Sequence, residues 1–113
     1  MTSSVEMRSG LPVVRVVGEM RDDDDGALEL KAGELLDGPP GRVVLDLSGV
    51  NYISSAGIST LVKLTAKANQ QGGRLVMAGP TPFVAGVFET TRLTRFFEIV
   101  PTVDDAIKSA GRS

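Results

Sequence analysis

The 113-residue chain contains no cysteine, no histidine and no tryptophan. Without cysteine there is no disulfide framework, no thiolate metal site and no thiol nucleophile. Without histidine there is no imidazole base near neutral pH, no Ser-His-Asp triad and no imidazole metal ligand. Most familiar hydrolase and metalloenzyme chemistry is thereby excluded. A strong excess of charge is missing too: 12 Lys+Arg stand against 14 Asp+Glu, a formal net charge of −2. No global basic field draws such a chain to nucleic acid or anionic lipid. Nor is there an apolar run near the roughly 20 residues that span a bilayer. The start, MTSSVEMRSG, lacks the basic head and apolar centre of a secretory signal. The sequence therefore predicts a cytoplasmic protein with no membrane insertion and no direct nucleic-acid contact.

What is present reads as one domain over residues 1–113, with Met1–Ser3 and Gly111–Ser113 as frayed ends. Its composition, 42% hydrophobic and 23% charged, is that of an ordinary globular protein. Charge is unevenly placed, with four basic and nine acidic side chains in residues 1–41 and eight basic and five acidic in residues 42–113.

Ser4–Arg8 and the valine-rich Leu11–Met20 read as a hairpin across Ser9-Gly10. The run Asp22–Asp25 suits a solvated loop leading into a helix start, and its four adjacent carboxylates lack the alternate spacing of an EF-hand. A short helix, Ala27–Leu36, follows with Leu28, Ala32, Leu35 and Leu36 inward, and Gly38-Pro39-Pro40-Gly41 stops it. Arg42–Ser48 is the clearest strand, and Val43-Val44-Leu45 predicts burial on both faces. Ala56–Gln71 is the clearest helix, with Ile58, Leu61, Val62, Thr65 and Ala68 on one face and Lys63 and Lys67 among the solvated residues. Arg74–Ala78 is a further buried strand. A helix then opens at Thr81 or Pro82 and runs through Thr90, with Phe83, Val84 and Val87 inward. Phe96–Val100 is a last strand, and a terminal helix follows with Thr102 or Asp104 as its cap. Alternating strands and helices after an opening hairpin predict an α/β fold: a mixed, mainly parallel central sheet of four to five strands flanked by about four helices.

Between the third strand and the second long helix lies Asp46-Leu47-Ser48-Gly49-Val50-Asn51-Tyr52-Ile53-Ser54-Ser55-Ala56-Gly57-Ile58. Ser54 or Ser55 stands where a helix takes its N-cap, and a helix start with unpaired N–H groups accepts a phosphate readily. The bland reading of the pair is a cap followed by a glycine that permits close packing. No Gly-x-Ser-x-Gly and no Gly-x4-Gly-Lys-Ser/Thr motif occurs, so neither an enzyme nor a nucleotide binder is indicated, and no cofactor or metal is expected.

The stretch Val43–Ile58 (VVLDLSGVNYISSAGI) closely resembles the signature of STAS domains, specifically the anti-sigma factor antagonists. Val16-Val17-Gly18-Glu19-Met20, Gly72-Gly73-Arg74-Leu75 and Leu93–Val100 fit further parts of that family's pattern. The resemblance implies a single STAS domain acting as a stress-response partner switch in a bacterium. The unphosphorylated form would bind an anti-sigma factor of the ATP-binding serine-kinase type and so free a sigma factor. Phosphorylation of Ser55, with Ser54 as second choice, would abolish binding, and a serine phosphatase would reverse it. The docking surface implied comprises Arg21, Asp22, Asp23, Asn51, Tyr52, Ile53, Ser54, Ser55, Ala56, Gly57 and Ile58, within the loops Gly18–Asp25 and Gly49–Ser54 and the first turns of the helix. Two positions depart from the family pattern: Ser54 stands where many members carry Asp, and Arg21 follows Gly18-Glu19-Met20 where members usually carry Asp. A monomer is expected when unbound. The alternative role is a STAS subunit of a lipid or anion transport system, or of a stress-sensing scaffold, that binds constitutively without phosphorylation.

Overall fold

Alternate side chains of a strand face opposite ways, so an unbroken apolar run must be covered on both sides. The computed structural model, which describes residues 1–21 and 25–111, supplies both covers. The chain runs β1 (Thr2–Arg8), β2 (Leu11–Met20), α1 (Asp25–Asp37), β3 (Arg42–Ile53), α2 (Ser55–Gln70), β4 (Arg74–Ala78), α3 (Pro82–Thr90), β5 (Glu98–Val100) and α4 (Val103–Ala110). The strands form one sheet in chain order, β1 to β5. β1 is antiparallel to β2, and the other neighbours are parallel. This is the predicted mixed sheet with an antiparallel pair at one edge.

Val43-Val44-Leu45 shows how the two covers are shared. Val43 and Leu45 face Leu28, Ala32 and Leu36 of α1, Leu61, Leu64 and Ala68 of α2, and Val84 and Phe88 of α3. Val44 points the other way and joins Leu11, Val13, Val76 and Ala78 under Ala106 and Ala110 of α4. Burying each Val, Leu or Phe side chain contributes about 1.5–3 kcal/mol, so the three-helix side holds most of the fold's apolar stabilisation. α4 is further tied down by polar contacts. Arg74 donates from Nε and Nη2 to the two Glu98 carboxylate oxygens at 2.8 and 2.7 Å, and Ser109 of α4 also bonds both partners. The Arg74 guanidinium holds the Glu98 carboxyl below the usual carboxylate range. No helix among the described residues is long and apolar enough to cross a membrane.

Several boundaries differ from those the sequence predicts. β1 starts at Thr2, because Thr2 and Ser3 pair with Val17 and Val16 and Lys31 of α1 donates to the Ser3 carbonyl and hydroxyl at 3.2 and 3.1 Å. The frayed start expected at Met1–Ser3 is thus ordered from Thr2. At the other end Gly111 closes α4, and residues 112 and 113 lie outside the described ones. β3 runs on to Ile53, so the loop expected at Gly49–Ser54 is mostly strand. The pairing of β2 with β3 shifts register twice, and between the shifts Gly49 crosses Val17 closely. A Cβ at Gly49 would lie 3.0 Å from Val17 Cγ2 and 3.1 Å from the Val16 carbonyl oxygen, so the missing side chain lets the strands stay paired. Asp46 supports this stretch by accepting from the Ser48 N–H and hydroxyl at 3.0 and 2.7 Å. β5 is shorter than expected, starting at Glu98, with Phe97 buried just before it. On α2, Leu61, Leu64, Thr65 and Ala68 are buried and Ile58 and Val62 half-buried, while Lys67 lies 3.0 Å from Asp37 of α1.

Candidate functional site

The end of β2, the end of β3 and the start of α2 meet at one corner of the sheet. Their junction is a backbone contact: the Ser54 N–H donates to the Met20 carbonyl at 2.8 Å. Ser54 is extended, with φ −86° and ψ 171°, and its Oγ accepts from the Gly57 N–H at 3.1 Å. Of the two serines, then, Ser54 is the cap. Ser55 is the first residue of α2, exposed, and its hydroxyl makes no hydrogen bond among the described residues. The first turn of α2 carries no acidic side chain, so the positive end of the helix dipole is not already offset there by a carboxylate.

Gly57 explains how closely the corner packs. A Cβ there would sit 2.9 Å from Ile53 Cγ1 and 3.2 Å from both the Met20 Cβ and the Met20 carbonyl oxygen. Ile53 and Gly57, expected on the docking face, are buried beneath it. Ser54, Ala56 and Ile58 are half-buried, while Arg21, Asn51, Tyr52 and Ser55 are exposed. Asp22 and Asp23 lie outside the described residues, as does Asp24.

Beside the serines stands a group that sequence reasoning did not assemble. The Arg21 guanidinium carbon lies 5.1 Å from the centre of the Tyr52 ring, and Tyr52 pairs with Phe83 of α3 at 5.8 Å between ring centres. Arg21 Nε donates to Glu19 Oε2 at 2.6 Å. The Arg21 partner lowers the Glu19 carboxyl, and Glu19 in turn raises the guanidinium. Phe83 was expected to pack inward, yet it is 51% exposed, while Val84 and Phe88 are fully buried. Spacing could not decide this, because Phe83 and Val87 are four residues apart just as Val84 and Phe88 are, and the structure buries the second pair. Thr81 sets this geometry by donating to the Val50 carbonyl at 2.9 Å while capping α3 at the Val84 N–H.

The two serines should respond differently to truncation. Ser54→Ala removes the cap and should lower stability by about 1 kcal/mol, whereas Ser55→Ala should stay within about 0.5 kcal/mol of wild type. Urea unfolding of both variants measures the contrast, and equal losses would mean that Ser54 is not the cap in solution.

A sheet whose third strand hands a serine pair to the start of the next helix, with an antiparallel strand at one edge, is a STAS-type arrangement. A family model described as "Mlab, STAS domain" matches residues 3–101. The chain is 28% identical over 99 residues to BtrV of Bordetella bronchiseptica, designated an anti-sigma factor antagonist, covering 88% of this chain and 85% of that protein. It is 31% identical to a crystal structure of an anti-sigma factor antagonist from Mycobacterium paratuberculosis, with a TM-score of 0.83 and coverage of 98% and 94%. The unphosphorylated form of the antagonist SpoIIAA shares the fold at a TM-score of 0.80 and 17% identity, covering 99% of each chain. Its phosphorylated form, from Bacillus, matches at 0.73 and 18%, covering 96% and 98%. The chain belongs to the STAS-domain family of anti-sigma factor antagonists.

Proposed function

We propose that this chain is a phosphorylation-switched binding module of the bacterial cytoplasm, and not an enzyme. Unphosphorylated and monomeric, it binds an anti-sigma factor of the ATP-binding serine-kinase type, and the sigma factor is released. The observation that carries this reading is the free hydroxyl of Ser55, set at the first position of α2 while Ser54 is engaged as the cap. The occurrence of SpoIIAA in unphosphorylated and phosphorylated forms on the same fold supports it.

The chemistry is a single transfer. Ser55 Oγ attacks the γ-phosphorus of ATP and loses its proton, the bond to the bridging oxygen breaks, and ADP leaves. A phosphatase returns the hydroxyl by attack of water on the same phosphorus. The product adds about −1.5 to −2 charge and three acceptor oxygens. Within the chain this is tolerated, since the helix start favours an anion by about 0.3–1 kcal/mol. Against a partner surface fitted to a neutral hydroxyl, the same charge must be desolvated or meet like charge, at a cost of several kcal/mol. The interface cost is the larger, so binding is lost while the fold is kept.

Phosphopeptide mass spectrometry on the protein purified from its own cells, in growth and under stress, tests the reading. Phosphate on Ser55 that varies with condition is the expected result. Phosphate on Ser54 keeps the mechanism and moves it by one residue. No phosphate in any condition replaces the switch with a constitutive scaffold or transport subunit.

A further inference from the structure

Arg21 stands between competing anions. Met20, its neighbour in the chain, is the Cα partner of Ile53 and accepts the Ser54 N–H at 2.8 Å. Carried one residue further, that parallel register sets Arg21 beside Ser54 and next to Ser55. Adjacent strands lie about 4.8 Å apart, a span the long arginine side chain covers. Its guanidinium now rests over Tyr52 and on the Glu19 carboxylate. The geometry points to Arg21 as the residue that takes hold of a phosphoryl group on Ser55, leaving Glu19 and Tyr52 to do so.

The competition favours the phosphate. Arg21 and Glu19 form an exposed pair, with side chains 61% and 44% accessible, and such pairs hold weakly in water. A phosphoserine offers more charge than Glu19, and three oxygens that the planar guanidinium can bind two at a time. No other basic side chain lies in the first turn, Ser55–Ile58, and the next along the helix is Lys63. The swing would uncover the Tyr52–Phe83 pair and leave Glu19 without its cation. Modification would thus alter the face in two places, at Ser55 and over Tyr52. The inference rests on the phosphorylation switch proposed above and adds how the chain itself responds to it.

The test needs no partner. Tyr52 is the only tyrosine and the chain has no tryptophan, so intrinsic emission reports on this spot alone. Phosphoserine is placed at position 55 by genetic encoding in the full-length chain, and its second ionisation is followed by phosphorus NMR. In wild type it should fall at least half a unit below the ordinary value of about 6, a roughly threefold change in proton affinity. Arg21→Ala should raise the ionisation by at least half a unit over wild type, leaving only the smaller lowering that the helix start supplies, while Arg15→Ala, removing an exposed arginine from β2, should not. Phosphorylation should also change Tyr52 emission in wild type and leave it unchanged in Arg21→Ala. An ionisation equal in wild type and Arg21→Ala, or equally moved by Arg15→Ala, overturns the inference, as does emission indifferent to phosphorylation. Phosphate-controlled partner binding would survive any of these results, whereas absence of phosphate in cells would remove the switch itself.

Discussion

Phosphoserine at position 55 is expected to weaken binding to the anti-sigma factor about a hundredfold, because about 3 kcal/mol of desolvation and repulsion corresponds to two factors of ten. Ser55→Asp carries one charge on a shorter arm, so its loss should be smaller, about tenfold or more. Ser55→Ala should bind like wild type, since a partner fitted to an uncharged side chain loses only one exposed hydroxyl. Ser54→Asp is the informative companion. Aspartate caps a helix as well as serine does, so the fold should hold and binding should fall much less than for Ser55→Asp. Titration calorimetry with the purified anti-sigma factor reads all four proteins. Undiminished binding by both the phosphoserine protein and Ser55→Asp would sink the switch and favour a constitutive module.

The largest expected effect on stability lies across the sheet from solvent. Phe88 is fully buried and meets Phe97 edge to face, with ring centres 5.1 Å apart and planes at 73°. Phe88→Ala should cost about 3–5 kcal/mol, combining lost burial with the cavity left beneath α3. Domains of this kind are stable by only about 5–15 kcal/mol, so the urea midpoint should drop by a large fraction with little change in slope. Phe83→Ala, five residues earlier on the same helix, should cost about 1 kcal/mol or less, because the ring already faces water. Equal losses at the two positions would contradict the orientation of α3.

The same pair of phenylalanines shows where sequence reading reaches and where it stops. The alternation of strands and helices, the mainly parallel sheet and the helix that follows the serine pair were legible because Val43-Val44-Leu45 and the Leu61–Ala68 spacing are periodic and apolar. Phe83 was misplaced because hydrophobicity alone assigned it to the core. The rotation of the helix is set by its tertiary contacts, with Val84 and Phe88 buried and Thr81 bonded to the Val50 carbonyl. Gly49 and Asn51 look like a loop in one dimension. They are strand because β2 shifts its register to follow them, and that accommodation is a property of two segments at once. The serine pair carried the same limit. Either residue could cap the helix from composition, and the Ser54 contacts with Met20 and Gly57 separate them. Arg21, Tyr52 and Phe83 lie 31 and 31 residues apart in the chain, so no local motif could announce their stack.

The helix that covers the second face of the sheet follows every strand in the chain. Leu11, Val13, Val44, Val76 and Ala78 are therefore all translated before Ala106 and Ala110, the residues that shield them. α1, α2 and α3 also precede α4, so a chain stopped short of α4 has helices to cover one face of its sheet and none for the other. Ser109 makes its bonds to Arg74 and Glu98 only once α4 has docked. Docking of α4 is thus what closes the second face of the sheet. A ribosome that stalls before it releases a sheet open to whatever apolar surface it meets first.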